Sequence, residues 1–198
     1  FKAGYKTIAE IGKERIRRYV EDHDPSRLTP ELEELIKALH AHKTGLYTAI
    51  VAAGGVPFRP GVLALIGEAQ AAGLPVAIAT TTSHANIIAL FDGATGGAGR
   101  GWFLAIACAE DAPIKKPDPQ VYRVVLEHLG LAAVDCLALE DSTNGVGAAC
   151  AAGIPVVVSQ SAYTEGDDFT GALAVFPDFA QVTLAQLTEL HAGRGKRK

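Results

Sequence analysis

Residues 134–145 read Val-Asp-Cys-Leu-Ala-Leu-Glu-Asp-Ser-Thr-Asn-Gly. The apolar first half predicts a buried strand, and the polar Ser-Thr-Asn-Gly that ends the stretch indicates the start of a helix. Glu140 and Asp141 therefore stand at the carboxyl end of a strand, the edge of an open α/β sheet where ligands bind. Two carboxylates there predict a Mg²⁺ site beside an anionic substrate. A purely structural alternative also exists, because acidic residues favour helix N-termini.

The rest of the chain shows a two-part organisation. Residues 1–56 have helical patterning throughout, and one helix is predicted to begin at Pro30, with Thr29 as its N-cap, and to continue to Ala53. From Pro57 onward apolar runs alternate with helical segments, which predicts an α/β fold with a parallel sheet and crossover helices. The runs predicted to form strands are residues 74–79, 102–107, 134–139, 155–158 and 172–176.

Composition excludes several classes of protein. The net charge of -4 gives no sign of a nucleic-acid surface. No apolar run reaches the roughly 18–20 residues needed to cross a bilayer, and no signal segment opens the chain. We therefore expect a cytoplasmic, monomeric protein that binds neither nucleic acid nor membranes. Its three cysteines lack Cys-x-x-Cys spacing, so we expect reduced core residues and neither a disulfide framework nor a zinc site.

Two further polar segments follow predicted strands. Residues 80–83 read Thr-Thr-Thr-Ser and lead into a helix with Asn86 in its first turn. Hydroxyls and free amides at a helix N-terminus hold a phosphate oxygen well, although serine and threonine are also common helix caps. In Lys115-Lys116-Pro117 the proline keeps Lys116 extended, so that its side chain can be aimed at a site. The alternative is an ordinary solvated lysine pair.

Taken in order, Thr80, Lys116-Pro117 and Glu140-Asp141 resemble motifs two, three and four of the haloacid dehalogenase-like (HAD) superfamily. More closely, the chain is similar to the CbbY-like sugar-bisphosphate phosphatases, which are relatives of β-phosphoglucomutase. By this resemblance residues 1–56 would form most of a helical C1-type cap, and residues 57–198 a Rossmann-like core. The segments that carry the closer similarity are residues 12–16, 42–44, 80–86, 116–119, 140–142, 163–164 and 168–169.

The resemblance implies a role for each matching residue. Thr80 would hydrogen-bond the transferring phosphoryl group, and Lys116 would neutralise its charge. Asp141 would bind Mg²⁺ directly, with Glu140 as a second ligand or as a partner that orients the site. A second, distal phosphate of a small phosphorylated sugar would be held by Lys13, Arg15 and Lys43 of the cap and by Thr82, Ser83 and Asn86 of the core. Without the resemblance, Lys13 and Arg15 would be assigned to solvent.

One motif of the superfamily is not found. Its reaction depends on a nucleophilic aspartate in a D-x-D-G-T motif at the end of the first core strand, and this sequence does not contain that motif. Asp22-His23-Asp24 has the aspartate spacing but is followed by Pro25. The sequence also contains no methionine. We therefore expect that the chain begins inside the cap, that the first core strand is missing from it, and that the isolated chain has low stability and no phosphatase activity.

The complete protein is accordingly predicted to hydrolyse a small sugar phosphate with Mg²⁺ through an aspartyl-phosphate. A pentulose bisphosphate such as xylulose-1,5-bisphosphate is implied as substrate by the CbbY-like resemblance alone. Two alternatives stay open: a β-phosphoglucomutase-type phosphoryl transferase, and a non-catalytic phosphosugar-binding protein.

Overall fold

The backbone is described for residues 8–194 in the computed structural model, and the side chains for residues 16–194 with the exception of Ala52. Helices and short strands alternate along this range, as the sequence pattern predicts. The helices are α1 (Ile8–His23), α2 (Pro30–Ala52), α3 (Val62–Ala71), α4 (His84–Thr95), α5 (Gln120–Leu129), α6 (Thr143–Ala151) and α7 (Leu184–Gly193). The strands are β1 (Ala77–Ala79), β2 (Ala105–Ala107), β3 (Ala138–Glu140), β4 (Val156–Ser159) and β5 (Ala174–Phe176).

The strands form two parallel sheets. β1 pairs with β2, with Ala79 opposite Ala107, whereas β3, β4 and β5 form the second sheet, with Glu140 opposite Val158. Every pairing is parallel, and helices connect most of the paired strands, so the predicted α/β fold class is confirmed. Within residues 8–194, β1 and β3 are each paired along one edge only.

One apolar core joins the two sheets. Its largest cluster combines Ala79 and Ala107 of the first sheet with Ala138 and Val156 of the second, and α5 and α6 add the apolar side chains that fill it. Ala107 and Val156 are fully buried. Because close-packed interiors transmit small displacements, this shared core holds the carboxyl ends of the two sheets in a defined relation.

The long helix α2 packs against α4. It begins as predicted, with Pro30 in its first turn and the Thr29 hydroxyl accepting a hydrogen bond from the Leu32 N–H at 3.3 Å. Its last turn approaches Gly93 of α4 so closely that a methyl group there would lie 2.3 Å from the Val51 carbonyl oxygen. None of the helices in the described part of the chain is both long enough and apolar enough to cross a bilayer.

The strands are shorter than the apolar runs that predict them. Pro75 has no N–H to donate to a ladder, and the predicted strand 74–79 is regular only at Ala77–Ala79. Trp102 is not in a strand, because residues 98–102 form a 3₁₀ helix. Residues 133–135 form a second 3₁₀ turn, closed by the Cys136 N–H on the Ala133 carbonyl, which delays β3 to Ala138.

Candidate active site

The carboxyl end of β1 leads directly into the predicted phosphate-binding segment. The Thr80 N–H donates to the Ala107 carbonyl at 2.9 Å, which extends the pairing with β2 by one residue. The Thr80 hydroxyl oxygen accepts the Thr82 N–H at 3.2 Å. Backbone bonds and a side-chain bond thus fix Thr80 just beyond the strand, at the sheet edge where the resemblance expects a phosphoryl group.

Three predicted substrate-binding residues meet in one turn at the start of α4. Ser83 is the N-cap of the helix, and its hydroxyl oxygen accepts the Asn86 N–H at 3.3 Å. The Asn86 side-chain amide donates to the Thr82 hydroxyl at 2.9 Å. Ser83 therefore fills the capping role that the structural alternative assigned to it, and the same turn presents two hydroxyls and an amide at the positive end of a helix dipole.

Lys116 lies between the ends of the two sheets. Its Nζ donates to the Ala79 carbonyl of β1 at 3.0 Å and to Oε1 of Glu140, the last residue of β3, at 2.5 Å. The Nζ also lies 4.7 Å from the centre of the Tyr122 ring. Since only 13% of the Lys116 side chain and 8% of the Glu140 side chain are exposed, this is a largely buried ion pair.

The neighbouring lysine is held as well. The Lys115 Nζ donates to the Thr81 carbonyl at 3.0 Å, and partial burial lowers the pKa of its ammonium group. The lysine pair is therefore not an ordinary solvated surface. Both ammonium groups are directed at carbonyls that end or follow β1.

Glu140 points into the protein. Its Oε1 accepts hydrogen bonds from Lys116 and from the Tyr122 hydroxyl, and its other carboxylate oxygen lies 1.8 Å from where a methyl group on Gly145 would be. Burial raises the pKa of Tyr122, as does the negative charge of Glu140, so the hydroxyl stays a donor. Of the two roles left open for Glu140, this orientation favours an indirect one, holding Lys116 in place.

Asp141 faces outward instead. Its side chain is 59% exposed, and the next residue, Ser142, caps α6 by accepting the Gly145 N–H at 3.2 Å. The nearest cation within the described residues is Arg59, with one guanidinium nitrogen 3.7 Å from Asp141 Oδ2. An open carboxylate beside a helix N-terminus fits the oxygen ligands that Mg²⁺ prefers.

Two residues at this site were not predicted from the sequence. Arg59 donates to the Ser159 carbonyl at 2.9 Å and to the Gln160 carbonyl at 2.6 Å, which joins the segment before α3 to the end of β4. Tyr122 lies on the buried face of α5. A sequence pattern would assign Tyr122 to the apolar core. Its place in the site is seen from the structure, in which its hydroxyl donates to Glu140.

Of the predicted cap residues, only Lys43 has a side chain that the structure describes. Lys43 is exposed on α2 and makes no hydrogen bond or ion pair with any residue that the structure describes. The backbone of Lys13 and Arg15 belongs to α1, but their side chains lie outside the described residues. The residues that the structure does bring to the carboxyl ends of β1 and β3 are Thr80, Thr82, Ser83, Asn86, Lys116, Glu140 and Asp141.

Comparisons with known proteins agree with this geometry. The haloacid dehalogenase-like hydrolase family matches residues 46–153. The plasmid-encoded CbbY protein of Cupriavidus necator is 52% identical over 167 residues, which is 84% of this chain and 66% of that protein. The CbbY protein of Rhodobacter capsulatus is 39% identical over 191 residues, 96% of this chain and 82% of that protein. The chain thus spans about two thirds of the first relative's length and more of the second.

A solved structure gives the same answer. The crystal structure of a CbbY mutant from Rhodobacter sphaeroides in complex with xylulose-1,5-bisphosphate superposes with a TM-score of 0.71 at 37% identity, covering 89% of this chain and 77% of that one. Family, relatives and fold therefore agree with the motif order read from the sequence. The chain belongs to the haloacid dehalogenase-like hydrolase family, and its relatives there include the CbbY proteins.

Proposed function

We propose that residues 1–198 carry the metal-binding and phosphate-binding half of a Mg²⁺-dependent sugar-phosphate phosphatase. The observation that supports this most is the bridge made by Lys116, which joins the end of β1 to Glu140 at the end of β3, one residue before the open carboxylate of Asp141. Phosphoryl transfer needs little covalent chemistry from a protein beyond a nucleophile. It depends chiefly on positioning and on charge stabilisation, and this arrangement supplies both.

Each residue has a separate task in this proposal. The Thr80 hydroxyl would hydrogen-bond the transferring phosphoryl group, and the Lys116 ammonium would offset its growing negative charge. Glu140 and Tyr122 keep that ammonium in place. Asp141 would hold Mg²⁺, which when bound would neutralise phosphate oxygens. The turn at Thr82, Ser83 and Asn86 would bind a distal phosphate, with Lys13, Arg15 and Lys43 of the cap as further cations.

The nucleophile is proposed to lie outside residues 1–198. An aspartate that attacks phosphorus would have to stand beside Lys116 and Asp141, on a strand between β1 and β3. Each of these strands has one edge that no described strand pairs with. A strand ending in D-x-D-G-T would satisfy those edges and deliver the aspartate to the same end of the sheet. The isolated chain is therefore proposed to bind a sugar phosphate without hydrolysing it.

The proposed substrate is xylulose-1,5-bisphosphate. It is supported by the complex of the Rhodobacter sphaeroides relative and by two candidate phosphate sites, one at Thr80 and one at the start of α4. A cytoplasmic location and a monomeric state stay predictions from the sequence, and so does the division into a cap of residues 1–56 and a core of residues 57–198.

Binding to the 198-residue chain tests the phosphate-binding part. We expect xylulose-1,5-bisphosphate to bind more tightly with Mg²⁺ than with EDTA in calorimetric titrations. Thr80→Val should weaken binding by about 10–100-fold, which corresponds to the loss of one hydrogen bond to a charged group. Thr188→Val is the matched control, because its hydroxyl bonds only to the Leu184 carbonyl of α7 among the described residues. A binding affinity that neither Mg²⁺ nor Thr80→Val changes would overturn the assignment.

Product analysis separates the alternatives. A version of the chain extended by a strand ending in D-x-D-G-T should release free phosphate from the bisphosphate. An isomerised sugar phosphate would identify a β-phosphoglucomutase-type transferase instead. Binding without either product in the extended protein would identify a non-catalytic phosphosugar-binding protein.

A further inference from the structure

A mixed group of metal-ligand side chains lies next to the start of α4. His84, Cys108 and Glu110 each offer one ligand atom, and these atoms all lie within 4.8 Å of one another. His84 is the first residue of α4, and Cys108 directly follows β2. They meet because β1 and β2 are parallel and in register, so that the segments after the two strands leave the sheet at the same edge. None of the three belongs to the phosphoryl-transfer residues described above.

The donor set is chemically specific. A thiolate sulfur, an imidazole nitrogen and a carboxylate oxygen are the ligands of Zn²⁺, whereas Mg²⁺ takes oxygen ligands almost exclusively. Zinc bonds of about 2.0–2.3 Å in tetrahedral geometry place ligand atoms about 3.3–3.8 Å apart. The present upper separation of 4.8 Å thus requires a closure of about 1 Å, which is within the reach of side-chain rotation.

Asp111 hydrogen-bonds His84 and fixes the orientation of its ring. Its Oδ2 lies 2.6 Å from His84 Nε2 and also accepts the Cys108 N–H at 2.8 Å. An ionised carboxylate only accepts hydrogen bonds, so Nε2 donates to Asp111 and Nδ1 is the ring nitrogen left for a metal. Histidines that bind zinc commonly donate their other ring N–H to a carboxylate in this way. Asp111 thus orients the imidazole within the group.

The three side chains of the group differ in their exposure to solvent. Cys108 is fully buried beside Ile87 and Phe91, His84 is partly exposed, and Glu110 is exposed. Within residues 8–194 the Cys108 thiol makes no hydrogen bond. An ion bound here would have a dry sulfur side and an open carboxylate side, where water could serve as the fourth ligand, as in three-ligand zinc sites.

We propose that His84, Cys108 and Glu110 bind one Zn²⁺, with Asp111 as the residue that positions the imidazole. The ion would link the first turn of α4 to the segment after β2, which are already joined by the His84 N–H on Glu110 Oε2 at 3.2 Å. It would thereby stiffen the turn that carries Thr82, Ser83 and Asn86. The cysteine spacing in the sequence could not reveal this site, because only Cys108 and Glu110 are close in the sequence and His84 comes from the end of the other strand, β1.

Zinc alone, titrated against a chromophoric chelator, tests the proposal on the tag-free 198-residue chain. One tightly bound Zn²⁺ per chain is expected, together with a rise in the thermal midpoint. Cys108→Ser and Glu110→Gln should each weaken binding by about 10-fold or more, and Asp111→Asn by about 10–100-fold. Cys150→Ser is the matched control: its thiol is exposed, lies outside the group and should leave binding unchanged.

Cobalt provides a second readout that does not depend on affinity. Co²⁺ in the same site should show a thiolate-to-metal absorption band that Cys108→Ser removes. Glu110→Gln alters an exposed side chain, so it keeps the test decisive even if the buried Cys108→Ser variant fails to fold. Equal zinc affinity in the Glu110→Gln variant and the parent chain, or a cobalt complex without the sulfur band, would overturn the assignment.

Discussion

Lys116→Ala is expected to lower the free energy of unfolding by about 3–5 kcal/mol, because it leaves a buried carboxylate without its cation. The Glu140 side chain is only 8% exposed, and among the described residues only the Tyr122 hydroxyl would still donate to it after the substitution. The bond from Lys116 to the Ala79 carbonyl would be lost as well, so the ends of β1 and β3 would no longer be linked. Urea unfolding followed by circular dichroism measures the loss.

A surface ion pair supplies the control for this experiment. Lys37 and Glu34 also approach to 2.6 Å, but their side chains are 54% and 73% exposed. Lys37→Ala should therefore leave the urea unfolding midpoint almost unchanged. If Lys116→Ala behaves like Lys37→Ala, then Lys116 does not join the two sheets in the way described.

Asp141→Asn should show the opposite pattern, with little change in stability and a large loss of function. Its carboxylate is more than half exposed, and Arg59 is 3.7 Å away, too far for a direct hydrogen bond, so folding depends little on its charge. Metal binding depends on it directly. In the D-x-D-G-T-extended protein we expect Mg²⁺-dependent phosphate release to fall by about 10²–10³-fold or more.

The adjacent carboxylate is the control for Asp141. Glu140→Gln keeps the shape of the side chain but removes the charge that faces Lys116, so its main effect should be on the unfolding midpoint. Because Glu140 also holds Lys116 in place, Glu140→Gln should lower turnover as well, but only Asp141→Asn should raise the Mg²⁺ concentration that turnover needs. Equal turnover in Asp141→Asn and the unmodified extended protein would exclude Asp141 as the metal ligand.

The sequence predicts which residues meet at the site better than it predicts the contacts between their side chains. Thr80 and Asp141 come at the ends of apolar runs, and Lys116 stands in the loop between another such run and a helix. Parallel strands present their carboxyl ends at one edge, so the common location of these residues follows from the alternation of elements. That Glu140 turns inward while Asp141 faces outward could not be predicted. The inward orientation of Glu140 depends on the absence of a side chain at Gly145 in α6 and on the hydrogen bond from the Tyr122 hydroxyl in α5.

The predicted bounds of the helices and strands differ from the observed bounds for local reasons. The apolar run at 134–139 predicts a strand throughout, but its first residues close a 3₁₀ turn, and hydrophobicity alone cannot distinguish a buried turn from a buried strand. The helix Leu184–Gly193 was not predicted, although Thr183 caps it by accepting the Gln186 N–H at 3.2 Å. The contact of Arg59 with the end of β4 joins residues 100 positions apart, and no local pattern encodes it.

The most direct measurement of the central claim is phosphate release from xylulose-1,5-bisphosphate in the presence of Mg²⁺. It is made on the 198-residue chain and on the same chain extended by a strand that ends in D-x-D-G-T. We expect no release above background from the 198-residue chain and Mg²⁺-dependent turnover from the extended protein. Hydrolysis by the 198-residue chain alone, at a rate that Asp141→Ala abolishes, would contradict it.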